Sequence, residues 1–341
     1  MLAPLINKYK AFRKKKQLLQ YSSYSGKYAF VGVGNHSLSN LYPIIDYLGV
    51  PLKYIYSRTL ENAQLTADKY KAQATDDLQI ILNDKEIKGV FVCAHPDSHF
   101  DLAKQILSAG KALFIEKPPC KTSEELQELN KLAKGQIVQV GLQKRYASVY
   151  TIIKKQMKNP QSYRLNFQTG AYPEGNALWD LFIHPLDLAI SIFGEVKSST
   201  IKQSTNKETS FLLLEHLSGV IGNIELSTDY SWANPQEILT VNTKSGVFEA
   251  NGLFNLTFTE KSKKIAGIPL EKVIQKPIQK HILLSNSGFV PIAENNSLTL
   301  QGYYDEISLF VAAVESGNGD LTDFSELLKS YQLLDSLGKK F

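Results

Sequence analysis

Asp180, His184 and Asp187 stand at i, i+4 and i+7 within the mostly apolar run 178–193. On a helix that spacing puts all three side chains on one face. A histidine there can exchange a hydroxyl proton near neutrality, and a neighbouring carboxylate can orient the ring and favour its protonated form. Upstream, Glu116-Lys117-Pro118 closes the apolar stretch Ala112–Ile115. A lysine at the carboxyl end of a parallel strand lies on the edge where open α/β sheets bind ligands. Its charge can stabilise the alkoxide character that grows as a hydride leaves or joins carbon. The pattern assigns His184 as acid/base, Lys117 as the group that positions and polarises a substrate oxygen, and Asp180 as the organiser of both. The plain alternatives are a helix N-cap, a buried hydrogen-bonded histidine and a surface lysine.

A third constellation, Gly32-Val-Gly34-Asn35-His36-Ser37, sits between a strand-like run, Tyr28–Val33, and a helical one, Leu38–Leu48. Dinucleotide folds place a glycine-rich turn there: Gly32 permits the turn and Gly34 lets the backbone approach a pyrophosphate at a helix N-terminus. Ser37 takes the third glycine's place. About 20 residues on, where NAD-selective folds carry an acid, stands Ser57-Arg58-Thr59. With no carboxylate to repel a phosphate and a guanidinium able to grip one, NADP is the expected cofactor and NAD the alternative.

These residues need a scaffold of alternating elements, and the chain supplies one. Strands are predicted at 52–56, 89–93, 112–115 and 137–140, with helices at 60–70, 76–82, 97–109 and 123–133. That alternation predicts a parallel sheet covered by helices, a Rossmann domain over 27–141. Beyond it, a helix at 149–158 and one at 178–193 accompany strands at 212–217, 219–226, 238–243 and 254–259. Helices return at 300–314 and 324–337. Residues 142–341 are therefore expected to form an α+β domain with a large, mostly antiparallel sheet, serving substrate binding and oligomerisation.

Residues 1–26 form a basic arm, and Ser22–Gly26 reads as a linker. Residues 1–27 hold seven lysines and arginines and no acid, so the formal charge of +5 reverses to −2 over the remainder. The folded body lacks the clustered positive charge that nucleic-acid binding requires. Leu5–Leu19 has the composition of an amphipathic helix, open to two readings: an arm docked on the domain, or peripheral contact with an anionic membrane. With no apolar run of bilayer-spanning length and no signal-like stretch, a cytoplasmic location is expected. Cys93 and Cys120 are too few for a disulfide framework and read as packing residues.

Zinc is not expected. Pro96 interrupts the pair His95 and His99, and neither they nor the Asp180, His184, Asp187 set comes with the remaining ligands. His216 and His281 show no partner by sequence.

Cys93-Ala94-His95-Pro96-Asp97-Ser98-His99, then Glu116-Lys117-Pro118, then Asp180-Leu-Phe-Ile-His184, resemble in order the motifs of the Gfo/Idh/MocA oxidoreductases. The resemblance runs from about Tyr28 to Leu337. It implies that Ala94, His95, Pro96, His99, Glu116 and Lys117 border the cofactor on its nicotinamide side. Gln143-Lys144-Arg145-Tyr146 is similar to the family's segment crossing between domains, which implies Gln143 at the cofactor and Arg145 and Tyr146 at the substrate. Asp97 replaces a common asparagine, and Phe182 stands where many relatives have glycine and is expected to reshape the substrate pocket. The resemblance implies an NAD(P)-dependent oxidoreductase acting on a secondary alcohol or ketone of a sugar, cyclitol or sugar derivative, nucleotide-linked ones included. It also implies a homo-oligomer, dimer or tetramer, formed through the second sheet. Two other classes share these residues: a dinucleotide-binding regulator without turnover, and a lyase or hydrolase that uses bound NAD transiently.

Overall fold

The computed structural model describes residues 3–19, 24–274, 279–285 and 296–338; Ser22 and Ser23 of the expected linker lie outside them. The chain divides into two compact units. The first gathers Met1–Cys120, Glu128–Gly141 and Glu306–Asp323, and the second Lys121–Gln127, Leu142–Asp305 and Phe324–Phe341.

In the first unit six strands, β1 (Lys27–Val31), β2 (Leu52–Tyr56), β3 (Gln73–Thr75), β4 (Ile87–Val92), β5 (Ala112–Glu116) and β6 (Val138–Gly141), form one sheet in the order β3-β2-β1-β4-β5-β6. Every pairing is parallel. Strands buried on both faces read as continuous apolar runs, and Tyr28, Ala29, Phe30 and Val31 are indeed all fully buried. Phe30, Phe91 and Phe114 stack across neighbouring strands at 5.9 and 5.5 Å between centroids. Phe310, from the helix Tyr303–Ser316, closes this cluster edge-on against Phe91 and Phe114. Each buried phenylalanine contributes roughly 1.5–3 kcal/mol. The late helix is thereby part of the first unit's core.

The helix predicted at 38–48 is present in altered form. Ser37–Leu41 is a wide π-turn that runs into the α-helix Tyr42–Tyr47. Pro43 has no N–H for the i→i−4 ladder, so the Tyr42 N–H reaches back five residues to Ser37 O.

In the second unit, β7 (Pro160–Gln168), β8 (Val196–Gln203), β9 (Thr209–His216), β10 (Ile221–Ser227), β11 (Gln236–Thr243), β12 (Gly246–Asn251), β13 (Asn255–Glu260) and a later strand form an eight-stranded sheet. Between β13 and that last strand lies a short ribbon, β14 (Lys264–Ile265) with β15 (Ile268–Pro269), which makes the last strand β16 (Lys280–Ser285). The order is β16-β13-β12-β11-β7-β10-β9-β8, antiparallel except for β7 beside β10. Along β9, Leu212 and Leu214 are buried while Phe211 and Leu213 are exposed, the alternation of a sheet covered on one face.

The covering helix Ile183–Phe193 is fastened at its end: Phe193 stacks on Tyr163 with ring centroids 4.0 Å apart. Beside them His216, which shows no partner in the sequence, has two. Its Nδ1 lies 2.6 Å from Gly194 O and its Nε2 2.9 Å from the Tyr163 hydroxyl. A carbonyl only accepts, so Nδ1 carries the proton and Nε2 accepts from tyrosine. His281 pairs with Glu260 at 3.1 Å.

No helix among the described residues is long and apolar enough to cross a membrane. In the helix Ala3–Leu19, residues 4–12 are all exposed.

Candidate dinucleotide and substrate sites

The glycine turn leaves the end of β1 at Gly32, whose φ of +113° is a conformation suited to glycine. A Cβ here would stand 2.0 Å from Cys93 O, so the turn can pass the end of β4 only without a side chain. At Gly34 the reverse holds: a Cβ would meet nothing within 4 Å, leaving the backbone open to an approaching group. Ser37 fits the third glycine's place because its hydroxyl folds inward, donating to Gly34 O at 2.8 Å in a fully buried position.

Gly32, Gly34, Asn35 and His36 line a cavity of 550 Å³ together with Ser57 and Arg58. Ala94, His95 and Pro96 form another part of its wall. That volume lies within the range of small-molecule and cofactor sites. Thr59, His99, Glu116, Lys117 and Gln143, also expected at the cofactor, are not among the lining residues. Arg58 is exposed and makes no ion pair with any described residue. The open turn, the cavity and this guanidinium together fit a nucleotide phosphate.

His99 is 1% exposed, its Nδ1 2.7 Å from Pro118 O and its Nε2 3.0 Å from Ala94 O. A neutral ring carries one N–H, so it donates to one of these carbonyls and packs against the other, between the turn after β4 and the turn after β5. Burial depresses its pKa. Cys93 is buried as well, and that burial, followed by the charge of Glu116, pushes its thiol up, so it stays protonated and inert.

Glu116 ends β5 almost buried, packed over Gly141, where a Cβ would come within 2.8 Å of the carboxyl carbon. Its Oε1 makes no hydrogen bond to the described residues and lies 3.4 Å from His36 Nε2. The Asn40 amide nitrogen, 3.0 Å from His36 Nδ1, can only donate, so Nδ1 accepts and Nε2 is the atom that faces Glu116, without a hydrogen bond to it. Lys117, half-buried, follows on the turn after β5. His95 and Asp97 are exposed partners on the turn Pro96–Ser98.

The second unit holds Asp180 and His184, and it corrects the expectation that Asp180, His184 and Asp187 share one helical face. The run 178–193 is not one helix. Ala177–Asp180 is a single turn capped by the Asn176 side chain, and Ile183–Phe193 starts afresh. Pro185 cannot donate to Leu181 O, which instead accepts from the His184 N–H, three residues on, at 3.2 Å.

Asp187 turns inward and is 1% exposed. Its two oxygens accept from Arg145 Nε and Nη2, each at 2.7 Å, and Oδ1 also accepts from Ser330 Oγ at 2.7 Å. Arg145, expected at the substrate, is thus engaged as a buried fork that ties the 3₁₀ turn Gln143–Tyr146 to the helices Ile183–Phe193 and Phe324–Gly338. Gln143 is buried and Tyr146 half-buried on that same turn. Phe182 is 3% exposed and meets Phe167 edge-on at 6.3 Å, so it packs in the core.

One residue has no signature in sequence spacing. Tyr172 stands beside Asp180, both of them around Gly175. Burial, then the charge of Asp180, raises the pKa of the Tyr172 hydroxyl, which keeps it protonated. Between them lies Gly175, where a Cβ would stand 2.3 Å from Asp180 Oδ2. A tyrosine in the glycine-bounded segment Gly170–Gly175 belongs to no periodic pattern. Among the described residues no group of three or more His, Cys, Asp or Glu side chains is placed to hold a metal.

Comparison with known proteins agrees with this architecture. Residues 26–143 match the Gfo/Idh/MocA family, described as an oxidoreductase family with an NAD-binding Rossmann fold. An uncharacterized oxidoreductase of Escherichia coli K12 is 36% identical over 135 residues, covering 35% of this chain and 39% of that protein. Inositol 2-dehydrogenase of Salmonella typhimurium is 25% identical over 217 residues, covering 57% of this chain and 65% of the enzyme. The matches thus span less than two thirds of the length of these curated relatives. A dehydrogenase structure from Chromobacterium violaceum superposes with a TM-score of 0.78 at 20% identity, covering 92% of this chain and 95% of the other. Residues 26–143 are thus similar to the Gfo/Idh/MocA oxidoreductase family, and the fold of the chain is that of a solved dehydrogenase.

Proposed function

We propose that this protein is an NAD(P)-dependent dehydrogenase acting on a CH–OH group of a cyclitol, sugar or sugar derivative. The observation that carries the reading is the open turn at Gly34, set in a cavity that Arg58 borders. The family's NAD-binding fold and the likeness to an inositol 2-dehydrogenase support it. NADP is the preferred cofactor in this reading. Arg58 is the charged side chain at the end of β2 that borders the cavity, it has no acidic partner among the described residues, and a guanidinium grips a phosphate bidentately.

The nicotinamide ring, when bound, supplies or accepts the hydride. Lys117 directs its ammonium at the substrate oxygen and stabilises negative charge there while the adjacent C–H bond is made or broken. His184 takes the hydroxyl proton in the oxidative direction and returns it in the reverse. Asp180, beside Tyr172, positions the reacting groups. Glu116 stands beside His36 at the glycine turn.

His184→Ala tests the assignment in a screen of cyclitols, sugars and nucleotide sugars with NADPH and NADH. General acid–base catalysis is worth about 10²–10⁴ in rate, so turnover should fall by roughly that factor while nucleotide affinity is kept. Unchanged turnover would remove His184 from the chemistry.

A further inference from the structure

The helix Ala3–Leu19 plays no part in either candidate site, yet it concentrates two surface properties. It carries Lys8, Lys10, Arg13, Lys14, Lys15 and Lys16 with no acid. Leu5, Tyr9 and Phe12, at i, i+4 and i+7, are 70, 61 and 64% exposed, and Ile6 beside them is 49% exposed. Four large apolar side chains left uncovered within eight residues call for an occupant.

The charge pattern selects among occupants. A second copy of the helix would bring like charges together without an acid to offset them. A nucleic acid would engage the cations and leave the apolar stripe in water. An anionic lipid surface meets both properties in one plane, with headgroups for the cations and the acyl boundary for leucine, tyrosine and phenylalanine. Residues 28–341 sum to −2, so attraction to such a surface resides in the arm.

We infer that Ala3–Leu19 lies along an anionic phospholipid surface and holds the protein at a membrane face. The inference is independent of the proposed reaction.

The test is cosedimentation of the full chain with vesicles of phosphatidylcholine alone, and of phosphatidylcholine with about 30% phosphatidylglycerol, at low and high salt. Binding should rise at least about tenfold with the anionic lipid and collapse in high salt, where surface charges are screened. Removing Lys14 or Lys15 should weaken binding about fivefold each. Leu5→Ser with Phe12→Ser should weaken it further at unchanged charge. Thermal unfolding of each variant confirms an intact body. Equal sedimentation with both lipids overturns the inference, as does an equal loss on Lys85→Ala in the body. Capture on polyglutamate beads that is indifferent to Leu5→Ser and Phe12→Ser also overturns it, giving the arm to an acidic protein.

Discussion

Removing the carboxylate of Asp187 leaves the Arg145 guanidinium with its fork unmatched in a site where the arginine side chain is 9% and the aspartate side chain 2% exposed. The lost contacts are the two 2.7 Å bonds from Arg145 and the 2.7 Å bond from Ser330. The remaining acid, Glu326, lies 3.7 Å from Nη1 and is half-exposed, so it offsets little of the loss. Breaking one side of a buried pair costs about 3–5 kcal/mol because a charge is left uncompensated. For a unit of roughly 150–250 residues each kcal/mol moves the midpoint by about 2–4 °C, giving a fall of about 6–20 °C for Asp187→Ala. The assay is thermal and urea unfolding of Asp187→Ala, Arg145→Met and the double variant. Replacing both partners by apolar groups is often close to neutral, so the double variant should recover much of the loss. A loss under about 1 kcal/mol for Asp187→Ala would refute the buried-pair reasoning. An Arg145→Met protein of full stability with a raised KM would return that arginine to the substrate.

Gly34→Ala and Gly32→Ala should separate binding from folding. The first adds a methyl to open space, so stability should stay within about 0.5 kcal/mol while nucleotide affinity falls; equal affinity would mean that nothing approaches the backbone there. Gly32→Ala drives a methyl into Cys93 O at φ +113° and should destabilise the first unit whether or not nucleotide is present. Acid should weaken the fold through His99 and His216, whose pKa values burial depresses. Both rings are neutral when folded and regain ordinary proton affinity when unfolded. Their contribution is therefore held above the unfolded value of about 6.5 and is lost as pH falls through the window beneath it. Urea midpoints that stay level or rise from pH 7 to 5 would contradict this.

The first sheet apart from its short edge strand β3 was legible because parallel strands buried on both faces are apolar throughout, and each loop carries its own signal: Gly32 and Gly34 after β1, Glu116-Lys117-Pro118 after β5. Strands β7, β8, β12 and β16 escaped for the opposite reason. Val196–Gln203 has two apolar residues, Val196 and Ile201, separated by a run of lysine, serine and threonine, which without its neighbours resembles a loop. The break after Asp180 was hidden because the apolar run continues through Leu181, Phe182 and Ile183, although Pro185 is its cause. The Arg145–Asp187 pair joins residues 42 apart in sequence, and no local pattern shows that a charged residue on an apolar helix faces inward. The Tyr163–His216 pair and the placing of Phe310 against β4 and β5 are long-range in the same way.

The most direct test of the dinucleotide claim is a fluorescence titration of the cofactor-stripped protein with NADPH and with NADH. Saturable binding of both, tighter for NADPH because Arg58 borders the cavity without an acidic partner, is the expected result. A clear preference for NADH would contradict the role given to Arg58, and no binding of either nucleotide would contradict the reading of the turn at Gly32 and Gly34.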